Sequence, residues 1–163
     1  MRAVLIGGYH GTWIPAPAVP GVRLSRAGLA RFGASPGAGI VHVLPTDECG
    51  LARTADIIAY LDEQGARQCG PCRNGLPRLA QLFDRLAYAR VDDDLLGEVH
   101  RMLGVVDGRG ACRHPDGTVR FARSALDAFA GDIALHQAGC CEAARVAATD
   151  ARHHDRRSNV STG

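Results

Sequence analysis

Apolar residues follow two different spacings along the chain, and the change comes near residue 47. Two short apolar runs, Ala3–Ile6 and Ile40–Leu44, are bounded by glycine and proline, which is typical of strands. The segment between them is rich in proline and glycine and leaves room for one helical turn around Ser25–Phe32. We therefore expect a β-rich module over residues 1–46.

From residue 47 onward, the apolar positions repeat at the spacing of amphipathic helices, which predicts four helices. Their apolar residues are, in chain order, Ala55, Ile58, Ala59 and Leu61; Leu76, Leu79, Phe83, Leu86 and Ala87; Leu95, Leu96, Val99, Met102 and Leu103; and Phe121, Ala122, Ala125, Leu126, Phe129, Ile133 and His136. Short connections make neighbouring helices antiparallel. The expected fold class is α+β, with the small β-rich module, a four-helix bundle over residues 47–140 and a polar, disordered tail over residues 141–163.

Composition and charge exclude several classes of function. The 163 residues carry a net charge of +2, which is too balanced for an electrostatic nucleic-acid binder. No apolar run approaches the ~20 residues that span a bilayer. The apolar stretch near the start of the sequence is too short for the hydrophobic region of a secretory signal peptide. No glycine-rich loop leads into a helix that could bind a dinucleotide. We expect a cytoplasmic protein with no nucleic-acid partner and no direct membrane insertion.

The predicted topology sorts the six cysteines into two groups. In a reducing compartment, clustered cysteines bind metal or carry out redox chemistry more often than they form disulfides. Cys69 and Cys72 precede the second helix and Cys112 follows the third, so antiparallel packing brings these three to one end. Cys49 precedes the first helix, ~20 Å away, and Cys140 and Cys141 follow the fourth helix at that far end. The six residues are Cys49, Cys69, Cys72, Cys112, Cys140 and Cys141.

The pair Cys69-Gly-Pro-Cys72 together with Cys112 is a metal-type constellation, because soft thiolates bind zinc and iron–sulfur clusters. Four ligands are usual for a structural zinc ion or a [4Fe–4S] cluster, and three thiols are present. His114 is a candidate nitrogen ligand; solvent, an exogenous ligand or an aspartate are alternatives, and three cysteines also suit a [3Fe–4S] cluster. His136 lies on a predicted helix and is expected at the edge of the core.

The segment from Gln68 to Gly75 resembles a motif of the flavoprotein subunit, the NuoF-type subunit, of respiratory NADH-quinone oxidoreductase. That family carries C-x-x-C-x-P-C-R-x-G and a fourth cysteine roughly forty residues further on. Cys69, Cys72, Arg73 and Gly75 match the motif, and Cys112 matches the fourth cysteine. The family's first cysteine is replaced by Ala66.

The resemblance covers about residues 1–140 and carries implications for fold and cofactor. Residues 33–44 resemble the end of the family's small soluble-ligand-binding β module, and the four helices resemble its iron–sulfur bundle. The resemblance implies an iron–sulfur cluster, [4Fe–4S] or [3Fe–4S], held by Cys69, Cys72 and Cys112, with His114 as a candidate for the missing ligand because it lies two residues after Cys112. We expect Arg73 to offset the negative charge of the cluster and its thiolates, since net charge helps to set the potential. Gly75 is expected either to allow close backbone approach or to be a glycine of the helix start.

The same resemblance implies electron transfer that depends on other chains. The FMN- and NADH-binding half of the family has no counterpart in these residues, so flavin and nicotinamide are expected only on a partner flavoprotein subunit. A ferredoxin-like protein is the expected downstream acceptor. The residues offer no general acid–base pair and no hydride site, so the sequence leaves independent catalysis undecided.

Three other functions compete with electron transfer. Cys-Gly-Pro-Cys is also the motif of thioredoxin-like dithiol–disulfide oxidoreductases, although that fold requires a strand before the motif. Cys69, Cys72, Cys112 and His114 have a spacing compatible with a structural Cys3His zinc module. Loss of one ligand is also compatible with a family remnant that binds nothing.

Overall fold

The computed structural model describes residues 1–88 and 91–146. Three strands, β1 (Ala3–Ile6), β2 (Thr12–Pro15) and β3 (Val41–Leu44), form an antiparallel sheet in the order β2-β1-β3. β1 takes the central place because each of its four residues is apolar and buried. The two strands that the apolar runs predict are confirmed, whereas β2 escapes the pattern because it lies in a proline-rich stretch.

The two faces of the sheet pack against different layers, because successive residues of a strand point to opposite sides. One face contributes Val4, Ile6 and Ile14 to a small apolar cluster with Leu29 and Ala34. This cluster is closed by α1 (Arg26–Leu29) and the short 3-10 turn Ala30–Phe32, which confirms the expected helical turn. The other face contributes Ala3, Leu5, Trp13 and Leu44 to the main core.

The main core lies among the longer helices. These are α2 (Gly50–Glu63), α3 (Leu76–Tyr88), α4 (Asp93–Val106), α5 (Arg113–Ala128) and α6 (Ala130–Gln137). α3 packs on α2 and α4, and α5 packs on α2, α4 and β2. Among the described residues, no helix combines the length and the apolar character needed to cross a bilayer.

The last predicted helix differs most from the structure. It begins at Arg113, eight residues before its first predicted apolar position, because Pro115 falls in the first turn, where a missing N–H costs nothing. It is also not continuous, since Phe129 (φ −113°, ψ 25°) ends α5 and α6 starts after it. Of the expected tail, the structure describes residues 141–146, of which 142–146 are helical; residues 147–163 lie outside the described residues.

Aromatic side chains join the sheet to the helices. The indole ring of Trp13 lies 5.3 Å from the Phe129 ring and 6.3 Å from the Phe121 ring, between centroids. The backbone N–H of Trp13 donates to the hydroxyl of Ser124 at 3.0 Å. Arg2 and Asp132 form an ion pair between the first residues of the chain and α6. These contacts fix the β module against α5 and α6.

Gly50 makes room for the Phe129 ring at the start of α2. A Cβ atom at Gly50 would lie 2.3 Å from Cε1 of that ring, which is 4% exposed and cannot move aside. We expect Gly50→Ala to lower the free energy of unfolding by about 1–3 kcal/mol, the usual range for overpacking a core. Urea denaturation monitored by circular dichroism measures this loss.

Gly97, an exposed residue within α4, is the matched control, because a Cβ atom there would meet nothing within 4 Å. Gly97→Ala should raise the free energy of unfolding by about 0.5–1 kcal/mol through helix propensity alone. A Gly50→Ala protein as stable as the Gly97→Ala protein would contradict the described packing of Phe129.

Candidate functional site

The cysteine motif lies in the connection from α2 to α3. Cys69 precedes a π-helical segment, Pro71–Gly75, that leads directly into α3. The backbone N–H of Arg73 donates to the carbonyl oxygen of Cys69 at 3.0 Å, which closes the first turn. Wide turns of this kind occur frequently at functional sites. The turn holds Cys69 and Cys72 on one end of the helices.

Cys112 returns to the same end from the connection between α4 and α5, where it immediately precedes Arg113. The backbone N–H of Ala111, its neighbour, lies close enough to the Cys69 sulfur to stabilise its thiolate form. The Cys72 thiol interacts electrostatically with both Cys69 and Cys112. These contacts place Cys112 near the Cys69–Cys72 pair, although the three sulfurs do not lie within 4.8 Å of one another, and we name Cys69, Cys72 and Cys112 the cysteine pole.

The thiols of the pole differ in their electrostatics. The backbone N–H groups of Ala111 and Cys72 lower the pKa of Cys69. Burial raises the pKa of Cys72, which is 2% exposed, and the neighbouring Cys69 sulfur raises it further. Cys112 is exposed. The pole therefore combines one activated thiol with one thiol shielded from water.

Ala66 lies beside the pole. The backbone N–H of the next residue, Arg67, is near the Cys72 sulfur and opposes the rise of its pKa. Arg67 has φ 55°, a left-handed conformation that turns the chain sharply at this point. The family motif has a cysteine where this chain has Ala66, and a methyl group supplies no ligand atom.

His114 has contacts of its own. Its Nε2 atom lies 2.8 Å from the carbonyl oxygen of Leu61, and its ring meets the His10 ring edge-on at 5.0 Å between centroids. An Nε2–H that donates to this carbonyl leaves Nδ1 as the ring's free ligand atom. The guanidinium group of Arg120 donates a hydrogen bond to the backbone carbonyl of His10 at 2.8 Å. The loop between β1 and β2, which contains His10, is therefore held against α5.

The structure gives Arg73 and Gly75 different environments. Arg73 is exposed, one residue after Cys72. Gly75 is buried, and a Cβ atom there would lie 2.5 Å from Cγ2 of Val106 in α4. The close packing of the π-helical segment on α4 therefore explains why residue 75 is a glycine, without reference to any cofactor.

The distances between the cysteine sulfurs indicate which kind of metal centre the cysteine pole can bind. A tetrahedral zinc ion with Zn–S bonds of ~2.3 Å holds its sulfurs about 3.8 Å apart. Within residues 1–88 and 91–146, the group that brings three ligand atoms within 4.8 Å of one another is Cys49, His136 and Cys141, at the opposite end of α2. A cluster with several irons, each bound by a different cysteine, suits sulfurs that stand further apart.

His136 is the residue that sequence reasoning missed. The pattern places it at the edge of the core, whereas the structure buries it at 7% exposure beside Cys49 and Cys141. The one useful signal was the expectation that the two cysteines share the far end, but the bend at Phe129 that directs His136 toward them has no sequence signature.

The local fold disfavours a thioredoxin-like centre. That mechanism places its motif directly after a central strand. Here α2 precedes the motif, and the last strand, β3, ends at Leu44. The two motif thiols therefore lie in a helix-to-helix connection rather than at the edge of a sheet.

Comparisons with known proteins give a family match and a match of fold. Residues 52–136 match the family model of the NADH-ubiquinone oxidoreductase-F iron–sulfur binding region. The F 2 subunit of NADH-quinone oxidoreductase from Rhizobium meliloti (strain 1021) is 24% identical over 136 residues. Crystal structures of an NAD+-reducing [NiFe]-hydrogenase, in the H2-reduced and air-oxidized states, superpose with a TM-score of 0.68 at 22% identity.

The match covers most of this chain but a minor part of each relative. It includes 83% of this chain and 32% of the Rhizobium meliloti protein. For the hydrogenase it includes 85% of this chain and 22% or 23% of the solved chain. At this identity, the likeness to the hydrogenase establishes the fold.

The lowered pKa of Cys69 generates a prediction for the reduced, metal-free protein. Because the thiolate is the reactive form, Cys69 should be alkylated by iodoacetamide at a lower pH than an ordinary cysteine, and well before Cys72. Alkylation rates from about pH 6 to 10, resolved by peptide mass spectrometry against a free cysteine peptide, measure this order. Faster labelling of Cys72 than of Cys69 would contradict the described backbone contacts.

Proposed function

Because this chain belongs to the family of the NADH-ubiquinone oxidoreductase-F iron–sulfur binding region, we propose that it binds an iron–sulfur cluster through Cys69, Cys72 and Cys112. In this proposal the chain relays single electrons between a flavin on a partner and a downstream acceptor. The observation that carries the proposal is the convergence of three thiols from two chain segments at the cysteine pole.

Family membership confirms the coarse conclusions from the sequence. The chain is an iron–sulfur electron-transfer module that resembles the C-terminal region of the NuoF-type flavoprotein, and its cofactor class is an iron–sulfur cluster. The family does not favour the thioredoxin-like or zinc-module alternatives. We also propose that α2 to α5 serve as the four-helix scaffold of the cluster and that residues 1–46 form a partial β module packed against it.

The donor set of the pole fits such a cluster. Thiolates are its usual ligands, and the N–H groups of Ala111 and Cys72 favour the thiolate form at Cys69. When bound, the cluster supplies one-electron redox chemistry. Cys72 shields one side from water, and the exposed Cys112 leaves a short path to a partner surface.

Two further residues of the motif have proposed roles. Arg73 carries a positive charge next to Cys72, and we propose that it offsets the negative charge of the thiolates and so raises the reduction potential. Gly75 allows the segment that carries Cys72 to approach α4 closely, since any side chain there meets Val106. Its contribution to the cofactor site is then through the position of the backbone.

Membership of the family suggests which partners the module needs. We propose that the electron donor is a flavin on a partner flavoprotein chain, which would also bind NAD. A ferredoxin-like protein is the proposed acceptor. We propose a cytoplasmic location, since a reducing compartment keeps all six cysteines in the thiol form.

Cluster loading should depend on the pole and not on cysteines elsewhere. After anaerobic reconstitution with iron and sulfide, Cys112→Ser should reduce bound iron and sulfide and the visible absorbance of the cluster by more than about tenfold. Cys140→Ser, which changes an exposed cysteine near the opposite end, should keep wild-type loading. Equal loading of the two variants would exclude Cys112 as a ligand.

Ala66 makes the fourth ligand testable by a gain of function. Ala66 precedes Arg67, whose backbone N–H is near the Cys72 sulfur, so Ala66→Cys should add a thiol at the pole and convert a cluster with three cysteine ligands into one with four. The variant should bind four irons per chain and give an electron paramagnetic resonance signal on reduction, with slower loss of iron in air. Iron content and stability unchanged from wild type would contradict the proposed position of Ala66.

His114→Ala separates the remaining choices for that ligand position. Loss of iron in this variant assigns the position to His114 through Nδ1. Retained iron assigns it to solvent or a small exogenous ligand, or to a three-iron cluster, because the Leu61 carbonyl already occupies Nε2.

A further inference from the structure

A second group of metal-type donors lies at the end of α2 opposite to the cysteine pole. Cys49 directly precedes α2, His136 lies in the last turn of α6, and Cys141 follows that helix. Their ligand atoms, two sulfurs and one imidazole nitrogen, all lie within 4.8 Å of one another. We name these three residues the far pole.

The spacing at the far pole matches a tetrahedral ion. With Zn–S bonds of ~2.3 Å and Zn–N bonds of ~2.05 Å, tetrahedral angles put sulfur and nitrogen about 3.6 Å apart. The distance between Cys49 Sγ and His136 Nε2 is 3.6 Å. Cys49 and His136 are therefore already at ligand spacing, and the Cys141 sulfur lies within 4.8 Å of both of their ligand atoms.

His136 is oriented as a metal ligand. Its Nδ1 atom lies 2.9 Å from the carbonyl oxygen of Leu86, so Nδ1 carries the proton that this carbonyl accepts. That hydrogen bond leaves Nε2 as the unprotonated atom, and Nε2 faces Cys49. Metal-binding histidines usually have their second nitrogen fixed by such a carbonyl or carboxylate. The side chain is buried, with the residue only 7% exposed, which holds the ring in this orientation.

We propose that Cys49, His136 and Cys141 bind a zinc ion. Binding by two thiols and a neutral imidazole releases two protons to solvent, since Zn²⁺ replaces one proton on each sulfur. The resulting centre, one Zn²⁺ with two thiolates and one imidazole, has no net charge. A neutral centre suits a half-buried site, where an unpaired charge would be costly.

The environment of Cys49 supports this assignment. The backbone N–H groups of Leu51 and Ala52, at the start of α2, lie within hydrogen-bonding reach of the Cys49 sulfur, and the Cys141 sulfur is its neighbour. A divalent cation between the two sulfurs would balance the charge of both thiolates. Backbone N–H groups at the helix start would then stabilise the Cys49 ligand.

A cavity gives the site an open fourth position. It has a volume of about 570 Å³ and is bordered by His136, Cys141, Tyr88 and Gly139. Cys140 also lines it, but its sulfur lies outside the compact group and is 3.8 Å from the carbonyl oxygen of Ala138. The fourth position is therefore assigned to water or a small ligand from this cavity, and Cys140 is not a ligand.

This proposal is independent of the iron–sulfur function, because the two donor sets lie at opposite ends of a 14-residue helix of about 21 Å. The test uses the full chain with Cys69, Cys72 and Cys112 all changed to serine, so that the far pole holds the remaining paired thiols. Titration with Co²⁺, as a coloured substitute for Zn²⁺, should give one equivalent with thiolate-to-cobalt charge transfer and tetrahedral absorption bands. Zn²⁺ should then displace Co²⁺ and raise the melting temperature.

Matched variants in that background decide the outcome. Cys49→Ser and Cys141→Ser are near-isosteric and should each weaken Co²⁺ affinity by at least about tenfold, whereas Cys140→Ser should leave it unchanged. Cobalt spectra that persist in Cys49→Ser, or that vanish in Cys140→Ser but not in Cys141→Ser, would overturn the assignment. So would a Cys49–Cys141 disulfide in the purified protein together with no cobalt binding after reduction.

Discussion

The packing of helices of similar length around one apolar core is the constraint on which the rest of this structure depends. α2 and α4 have 14 residues each, α3 has 13, and fully buried residues such as Leu79, Phe83 and Val99 hold them side by side. Each connection must therefore fall at one of two ends. The buried side chains fix the positions of the helices relative to one another, and the positions of the short connections are fixed as a result.

The sequence predicts the helices and the buried faces, which depend on periodicity, but it does not predict helix boundaries that depend on one or two local contacts. Leu79, Phe83 and Leu86 recur at helical spacing, and each is fully buried in α3. From that periodicity alone, the separation of the cysteines into two ends could be predicted. The start of α5 could not, because Pro115 and Gly117 are typical of turns, and the reason for a glycine at 117 is a tertiary contact: a Cβ atom there would lie 2.8 Å from the His10 ring.

The two sites also differ in how far a sequence can reveal them. Cys69 and Cys72 are recognisable by their spacing, because both lie on one turn. The donors of the far pole come from positions 49, 136 and 141, and they meet only through the bend at Phe129. The cysteine pole offers three sulfur donors, one of them exposed, whereas the far pole adds a buried imidazole to two sulfurs, a mixed donor set that suits zinc.

The bend at Phe129 links parts of the molecule that are remote in sequence. The ring of Phe129 contacts Trp13 of the sheet and fills the space above Gly50, while the backbone of Phe129 turns the chain into α6. Because one ring meets both Trp13 and the space over Gly50, a side chain added at position 50 has to displace that ring and so loosens the junction between the amino-terminal strands and the carboxyl-terminal helix.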